Sequence, residues 1–122
     1  MILADTSIWV DHFRSGDEEL RRQLLQNAIV IHPFVVGELA LGSLPDRAQT
    51  LQHLQRLPCL KVAQFAEVMQ MIERRALYRR GIGFIDAHLI ASILIHPPAK
   101  LWTRDKRLRT ATEELGIDAK LP

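Results

Sequence analysis

FIDAHLIASILIHPPAKLWTRD, Phe84 to Asp105, carries the pattern that decides the fold. From Ile85 to Ile95 the side chains are apolar almost all round, the mark of a helix buried on most of its circumference, and Pro97 and Pro98 end it. Lys100 to Trp102 then reads as a short strand, with Thr103 to Asp105 as its exit loop. Met1 to Ala4 supplies a second strand of the same kind. An apolar run without polar alternation belongs to a strand covered on both faces, hence to a parallel sheet, and Asp5 stands at its carboxyl end.

The remaining segments fit around these. Thr6 or Ser7 caps a short helix through about Phe13; Ser15 and Asp17 open a second, with Asp17, Glu18 and Glu19 in the turn that the helix dipole favours, ending near Asn27. Ala28 to Ile31 reads as a buried strand, and Pro33 begins an apolar helix through about Leu41 that Gly42 closes. Pro45 starts another helix, to about Leu57, and Leu60 to Val62 is a further strand candidate. Ala66 to Arg80 reads as an amphipathic helix ended by Gly81, with Ala66, Met69, Ile72, Ala76 and Leu77 inward and Arg74, Arg75, Arg79 and Arg80 on its polar side. Lys106 to Leu115 is the last helix, with Gly116 at its end. Short apolar strands alternating with helices predict a three-layer α/β/α sandwich with a mainly parallel central sheet, as one domain over 1–122.

Composition narrows the class. With 48% hydrophobic and 25% charged residues in 122, the chain lies far from the signature of disorder. The single cysteine, Cys59, excludes an internal disulfide framework and a thiolate zinc cage, and fits a reducing compartment. Apolar stretches fall short of the roughly 18 residues of a membrane span, and an acid occupies position 5 where a signal peptide is basic, so a cytoplasmic protein is expected. Sixteen Lys and Arg against fourteen Asp and Glu give +2, which permits an acidic partner without demanding one.

Four acids stand where a surface role does not explain them. Asp5 and Asp105 follow predicted strands, and ligands of open parallel sheets bind outside the carboxyl ends of strands. Glu38 lies inside PFVVGELALG, a helix with no other ionisable side chain, where an unpartnered buried charge would cost several kcal/mol. Asp86 begins the buried helix. Each has a plainer reading beside it: Asp86 and Asp105 as helix caps, Asp5 as a turn residue, Glu38 as half of a structural ion pair. Gathered together, four carboxylates repel unless a cation sits among them, and all-oxygen donors select Mg²⁺ or Mn²⁺. His12, His32, His53, His88 and His96 lack the paired helical spacing of zinc ligands. Arg74, Arg75, Arg79 and Arg80, with Arg104, Lys106, Arg107 and Arg109, form two basic clusters that read either as solvated helix faces or as contacts to a polyanion, and RNA is a sensible one. Trp9 and Trp102, nearest the acids in sequence, read first as core and second as base-stacking rings.

DTSIW (Asp5 to Trp9), GEL (Gly37 to Leu39), FIDAHLIAS (Phe84 to Ser92) and TRDKRL (Thr103 to Leu108) together resemble the four acidic motifs of PIN-domain ribonucleases, in order and at similar separations. The resemblance spans the chain, departs nowhere at the four acids, and is nearest the VapC group, the toxins of type II toxin-antitoxin pairs. It implies that Asp5, Glu38, Asp86 and Asp105 form an acidic quartet, with Thr6 and Thr103 as supporting hydroxyls and Ser7 as a weaker candidate. In such a site Asp5 and Asp86 serve as direct metal ligands, Glu38 as a ligand or holder of metal-bound water, and Asp105 as an outer or second-metal ligand. Thr103 orients Asp105 or touches a phosphate. The resemblance further implies a VapB-like antitoxin, a homodimer, and a structured target such as transfer or ribosomal RNA. Two rivals stand beside it. A non-catalytic RNA-binding or interaction module has no need of four acids, and a phosphatase using Asp5 as nucleophile leaves Glu38 unexplained.

Overall fold

The computed structural model describes residues 1–122. Three short strands, β1 (Ile2–Ala4), β2 (Ile29–Val30) and β3 (Lys100–Trp102), form one parallel sheet in the order β2-β1-β3. Leu3 of the central strand lies opposite Val30 on one side and Leu101 on the other. Leu3 and Leu101 are fully buried, as a sheet covered on both faces requires. Seven helices complete the α/β/α sandwich: α1 (Thr6–Ser15), α2 (Glu18–Leu25), α3 (Pro33–Ala40), α4 (Arg47–Arg56), α5 (Phe65–Arg74), α6 (Phe84–Leu94) and α7 (Lys106–Glu114). The 27 buried apolar residues form one continuous cluster, so sheet and helices stabilise one another. Within it α6 is buried at every position from Ala87 to Ile93 and packs against α5 and β3.

A polar link crosses this core. Ser92 on α6 donates its hydroxyl to the Lys61 carbonyl at 2.8 Å, so His32 Nε2, 3.0 Å away, must carry the hydrogen it shares with Ser92. His32 Nδ1 is thereby free to accept the Phe34 N–H at 3.0 Å and cap α3. Burial, reinforced by His88, holds the His32 pKa down to about 4 and keeps the ring neutral.

Three expectations from sequence need correction. Leu60 to Val62 is no strand: pairing on that edge of the sheet shrinks to a single parallel bridge between Ile31 and Cys59. Its hydrogen bonds are Ile31 N–H to the Pro58 carbonyl and Leu60 N–H to the Ile31 carbonyl, and the chain then leaves the edge. The helix expected to reach Arg80 stops at Arg74, because Ala76 turns left-handed at φ +51°. Leu77 N–H bonds back to the Ile72 carbonyl and Ala76 N–H to the Glu73 carbonyl, a Schellman closure that turns Leu77 into the core. The buried face of α5 is also rotated from that expected: Val68 and Met71 are inward, while Ala66 and Met69 face solvent.

Candidate active site

β1 and β3 lie side by side and parallel, so their carboxyl ends open on one crevice. The Asp5 N–H bonds to the Trp102 carbonyl at 3.0 Å, fixing the end of β1 against that of β3. The Asp5 side chain, 4% exposed, is gripped from both flanks. Its Oδ1 accepts the Ser7 hydroxyl and, at 3.4 Å, the Ile8 N–H of α1; its Oδ2 accepts the Thr103 hydroxyl. Thr103 Oγ1 in turn accepts the Asp105 N–H at 3.1 Å, and Ser7 Oγ accepts the Arg104 N–H at 3.2 Å. Burial pushes the Asp5 pKa up, while the Ser7 and Thr103 hydroxyls favour the ionised form.

Asp105 caps α7, its Oδ1 accepting the Leu108 N–H at 3.0 Å, so its plain capping reading holds as a fact of the fold. Asp86 sits one turn further in than a cap. Gly83 is the N-cap of α6, and Asp86, in the first turn, is half-buried with its Oδ2 beside Gly83, 3.5 Å from where a Cβ there would stand. Its pKa is raised to about 6, first by burial and then by the charges of Asp5, Asp105 and Glu38. That coupling brings the four acids of the sequence reading, carried on four separate elements, into one field. Their side chains share a field and no coordination sphere: no three His, Cys, Asp or Glu groups stand so as to hold an ion.

Glu38 overturns the reason for which it was singled out. Its side chain is exposed, with Val35 and Leu39 forming the buried face of α3, so no buried charge needs compensating. The Thr6 hydroxyl donates to Glu38 Oε1 at 2.6 Å. Thr6 therefore supports Glu38, whereas Ser7, ranked behind it on sequence, holds Asp5. The sequence offers Ser7 as a helix-cap candidate and, through the resemblance, as a weaker supporting hydroxyl, and neither reading tells which acid it holds.

The basic clusters divide. Arg104 turns inward: it bonds Asp11 at 2.8 Å, Asp17 at 2.6 Å and the Pro122 carbonyl at 3.0 Å, and lies over the Trp102 ring at 5.5 Å. Arg80 pairs with Glu114 at 2.8 Å, and Arg109 bonds the Leu121 carbonyl. Arg74, Arg75, Arg79 and Lys106 make no ion pair within the chain. Trp9 and Trp102 are buried, which leaves them to the core. His88, two residues after Asp86, packs between the Phe34 and Phe84 rings at 4.8 Å from each.

A parallel sheet with acids at the carboxyl ends of its strands defines a class, and comparison with known proteins agrees: the PIN domain matches residues 2–114, so the chain belongs to the PIN domain family. Within the family it is VapC-like. It is 43% identical over 117 residues to Ribonuclease VapC32 of Mycobacterium tuberculosis, in strains CDC 1551 / Oshkosh and H37Rv, covering 96% of this chain and 94% of the relative. The crystal structure of PAE2754 from Pyrobaculum aerophilum shares the fold at a TM-score of 0.62 and 20% identity, over 92% of this chain and 84% of that one.

Proposed function

We propose that the chain is a Mg²⁺-dependent endoribonuclease, one domain over 1–122, acting in the cytoplasm as the toxin of a VapBC-type pair. The observation that carries this reading is the buried Asp5 carboxylate, held by Ser7 and Thr103 where β1 and β3 end together, with Thr103 also accepting the Asp105 N–H, while the charges of Asp5, Asp105 and Glu38 add to burial in raising the pKa of Asp86. Such mutual repulsion is relieved by a cation, and an all-oxygen donor set fits Mg²⁺, with Mn²⁺ able to replace it. Asp5 and Asp86 would hold it directly, with Glu38 and Asp105 in outer roles. The ion supplies water activation and neutralises charge at the phosphodiester. The chain's own part is orientation: Ser7 and Thr103 fix Asp5 in one rotamer, Thr6 steadies Glu38, and the start of α7 holds Asp105. No cysteine or serine nucleophile is needed.

The similarity to Ribonuclease VapC32 supports RNA as substrate and a VapB-like antitoxin as partner. An apolar cleft of about 320 Å³ lined by Val10, Phe13, Leu39 and Leu44 opens beside Glu38, where a partner would cover the site. A homodimer would join two acidic sites along the surface of the unpaired arginines, and a structured transfer or ribosomal RNA loop is the target, whose cleavage blocks translation. No helix is long and apolar enough to cross a membrane. The test is cleavage of total cellular RNA with its ends mapped. A few sharp cuts that EDTA abolishes and Mg²⁺ or Mn²⁺ restores are expected; activity undiminished in EDTA would exclude the metal mechanism, and uniform degradation the defined target.

A further inference from the structure

Between α5 and α6 runs the loop 75–83, built unlike the rest of the molecule. Ala76, Arg79 and Gly81 all take left-handed φ, +51°, +62° and +74°, and two of them pay a steric cost that glycine would avoid. The loop is held from α7 at two points. Arg80 pairs with Glu114, and the Arg107 side chain lies so close to the Gly81 backbone that an added Cβ would meet it at 2.6 Å. Thus anchored, the loop presents Tyr78, 49% exposed, and Arg79, which has no acidic partner and stands 5.8 Å from the Tyr78 ring. Phe84 at the start of α6, 48% exposed, lines the same cleft. Tyr78, Arg79, Ile82, Gly83, Phe84 and Ala87 line a cleft of about 180 Å³.

Three features select the occupant. The cleft is smaller than the roughly 300–1,000 Å³ that takes drug-sized ligands, and suits one planar ring. Its exposed walls are aromatic, which binds any base face without hydrogen-bond readout. Its rim is cationic: Arg79 stands in the cleft itself, and Arg74 and Arg75, also without ion pairs, lie where α5 gives way to the loop. Gly83 lines the cleft, and a Cβ added to it would stand 3.5 Å from Asp86 Oδ2, so whatever enters lies beside the candidate active site.

We infer that this cleft takes one unstacked base of the RNA substrate next to the scissile phosphate, with Tyr78 and Phe84 as stacking walls and Arg79 on an adjoining phosphate. The inference rests on the ribonuclease reading and deepens it: the enzyme requires a base splayed from its neighbours, and therefore cuts in loops and single strands.

The experiment measures binding of the full chain, in EDTA, to a short single-stranded RNA carrying a fluorescent adenine analogue at one position at a time. Quenching by stacking is expected at one position. Tyr78→Ala should weaken affinity about five- to hundredfold and abolish that quenching, while Tyr78→Phe keeps both. Arg79→Asn, in which asparagine tolerates the left-handed backbone, should reduce the salt slope by about one and leave the quenching in place. Tyr78→Ala with unchanged affinity and quenching overturns the base cleft, even if wild type cleaves RNA with Mn²⁺. Unchanged RNA affinity with an altered oligomeric state overturns it too, by making this face a protein interface. Wild type that neither binds nor cleaves any RNA overturns both readings.

Discussion

The Thr103 hydroxyl donates to the Asp5 carboxylate, joining residues 98 apart in the chain across the seam between β1 and β3. A hydrogen bond to an ionised buried group contributes about 1.5–3 kcal/mol, and here it also fixes which lone pairs of Asp5 face the crevice. Thr103→Val should keep the fold, lose stability of that order in denaturant melts, and slow cleavage about 10- to 100-fold; Thr103→Ser should recover most of both. Full activity in Thr103→Val would remove Thr103 from the site.

Glu38 offers the opposite balance. Its carboxylate is exposed and bonded only to Thr6, so Glu38→Gln should shift stability by less than about 0.5 kcal/mol while lowering cleavage. Comparing the midpoint of urea unfolding with the rate on one labelled RNA checks this. A large stability loss with unchanged rate would assign Glu38 to the fold instead.

Arg104 is a structural residue on this account. Its side chain ties Asp11 of α1 and Asp17, the N-cap of α2, to the C-terminus. Arg104→Ala should cost about 1–3 kcal/mol and leave the salt dependence of RNA binding unchanged, whereas Arg75→Ala should reduce that slope by about one with little effect on stability. Binding titrations at several salt concentrations separate the two.

In the metal-free protein, Asp86 and His32 contribute pH dependence of opposite sign. Asp86, raised from 3.8 to about 6, contributes stability that is complete below about 3.8 and lost as pH rises through about 6. His32, lowered from 6.5 to about 4, contributes stability that is complete above 6.5 and lost as pH falls toward 4. Metal-free Asp86→Asn should therefore melt higher than wild type at pH 7, with the gap closing toward pH 4. Melting curves across that range check it, and a gap independent of pH would show that Asp86 titrates as an ordinary acid.

What sequence makes legible here is whatever has one physical reading. MILA and KLW carry no polar alternation, and IDAHLIASILI is apolar almost all round, so two strands and a buried helix follow, with Asp5, Asp86 and Asp105 near their ends. The exposure of Glu38 is not legible because an apolar helix does not tell which of its sides meets solvent; Leu41, one turn on, is 91% exposed. The end of α5 was hidden because RRALYRR contains no breaker, and it is the burial of Leu77 that forces Ala76 into a left-handed turn. Arg104 adjoins Asp105 in sequence, yet its side chain turns back to acids 93 and 87 residues away, a pairing no local pattern encodes.

The central claim is that Asp5 and Asp86 hold a cation in the field of Glu38 and Asp105, and it is tested most directly by the titration of Asp86 followed by carboxyl NMR with and without Mg²⁺. Without the ion, Asp86 should titrate at about 6. With Mg²⁺ present its value should fall below that of an ordinary aspartate, since a bound cation favours the ionised form. An Asp86 that titrates at 3.8 without metal, or one whose titration Mg²⁺ leaves unmoved, would contradict the account.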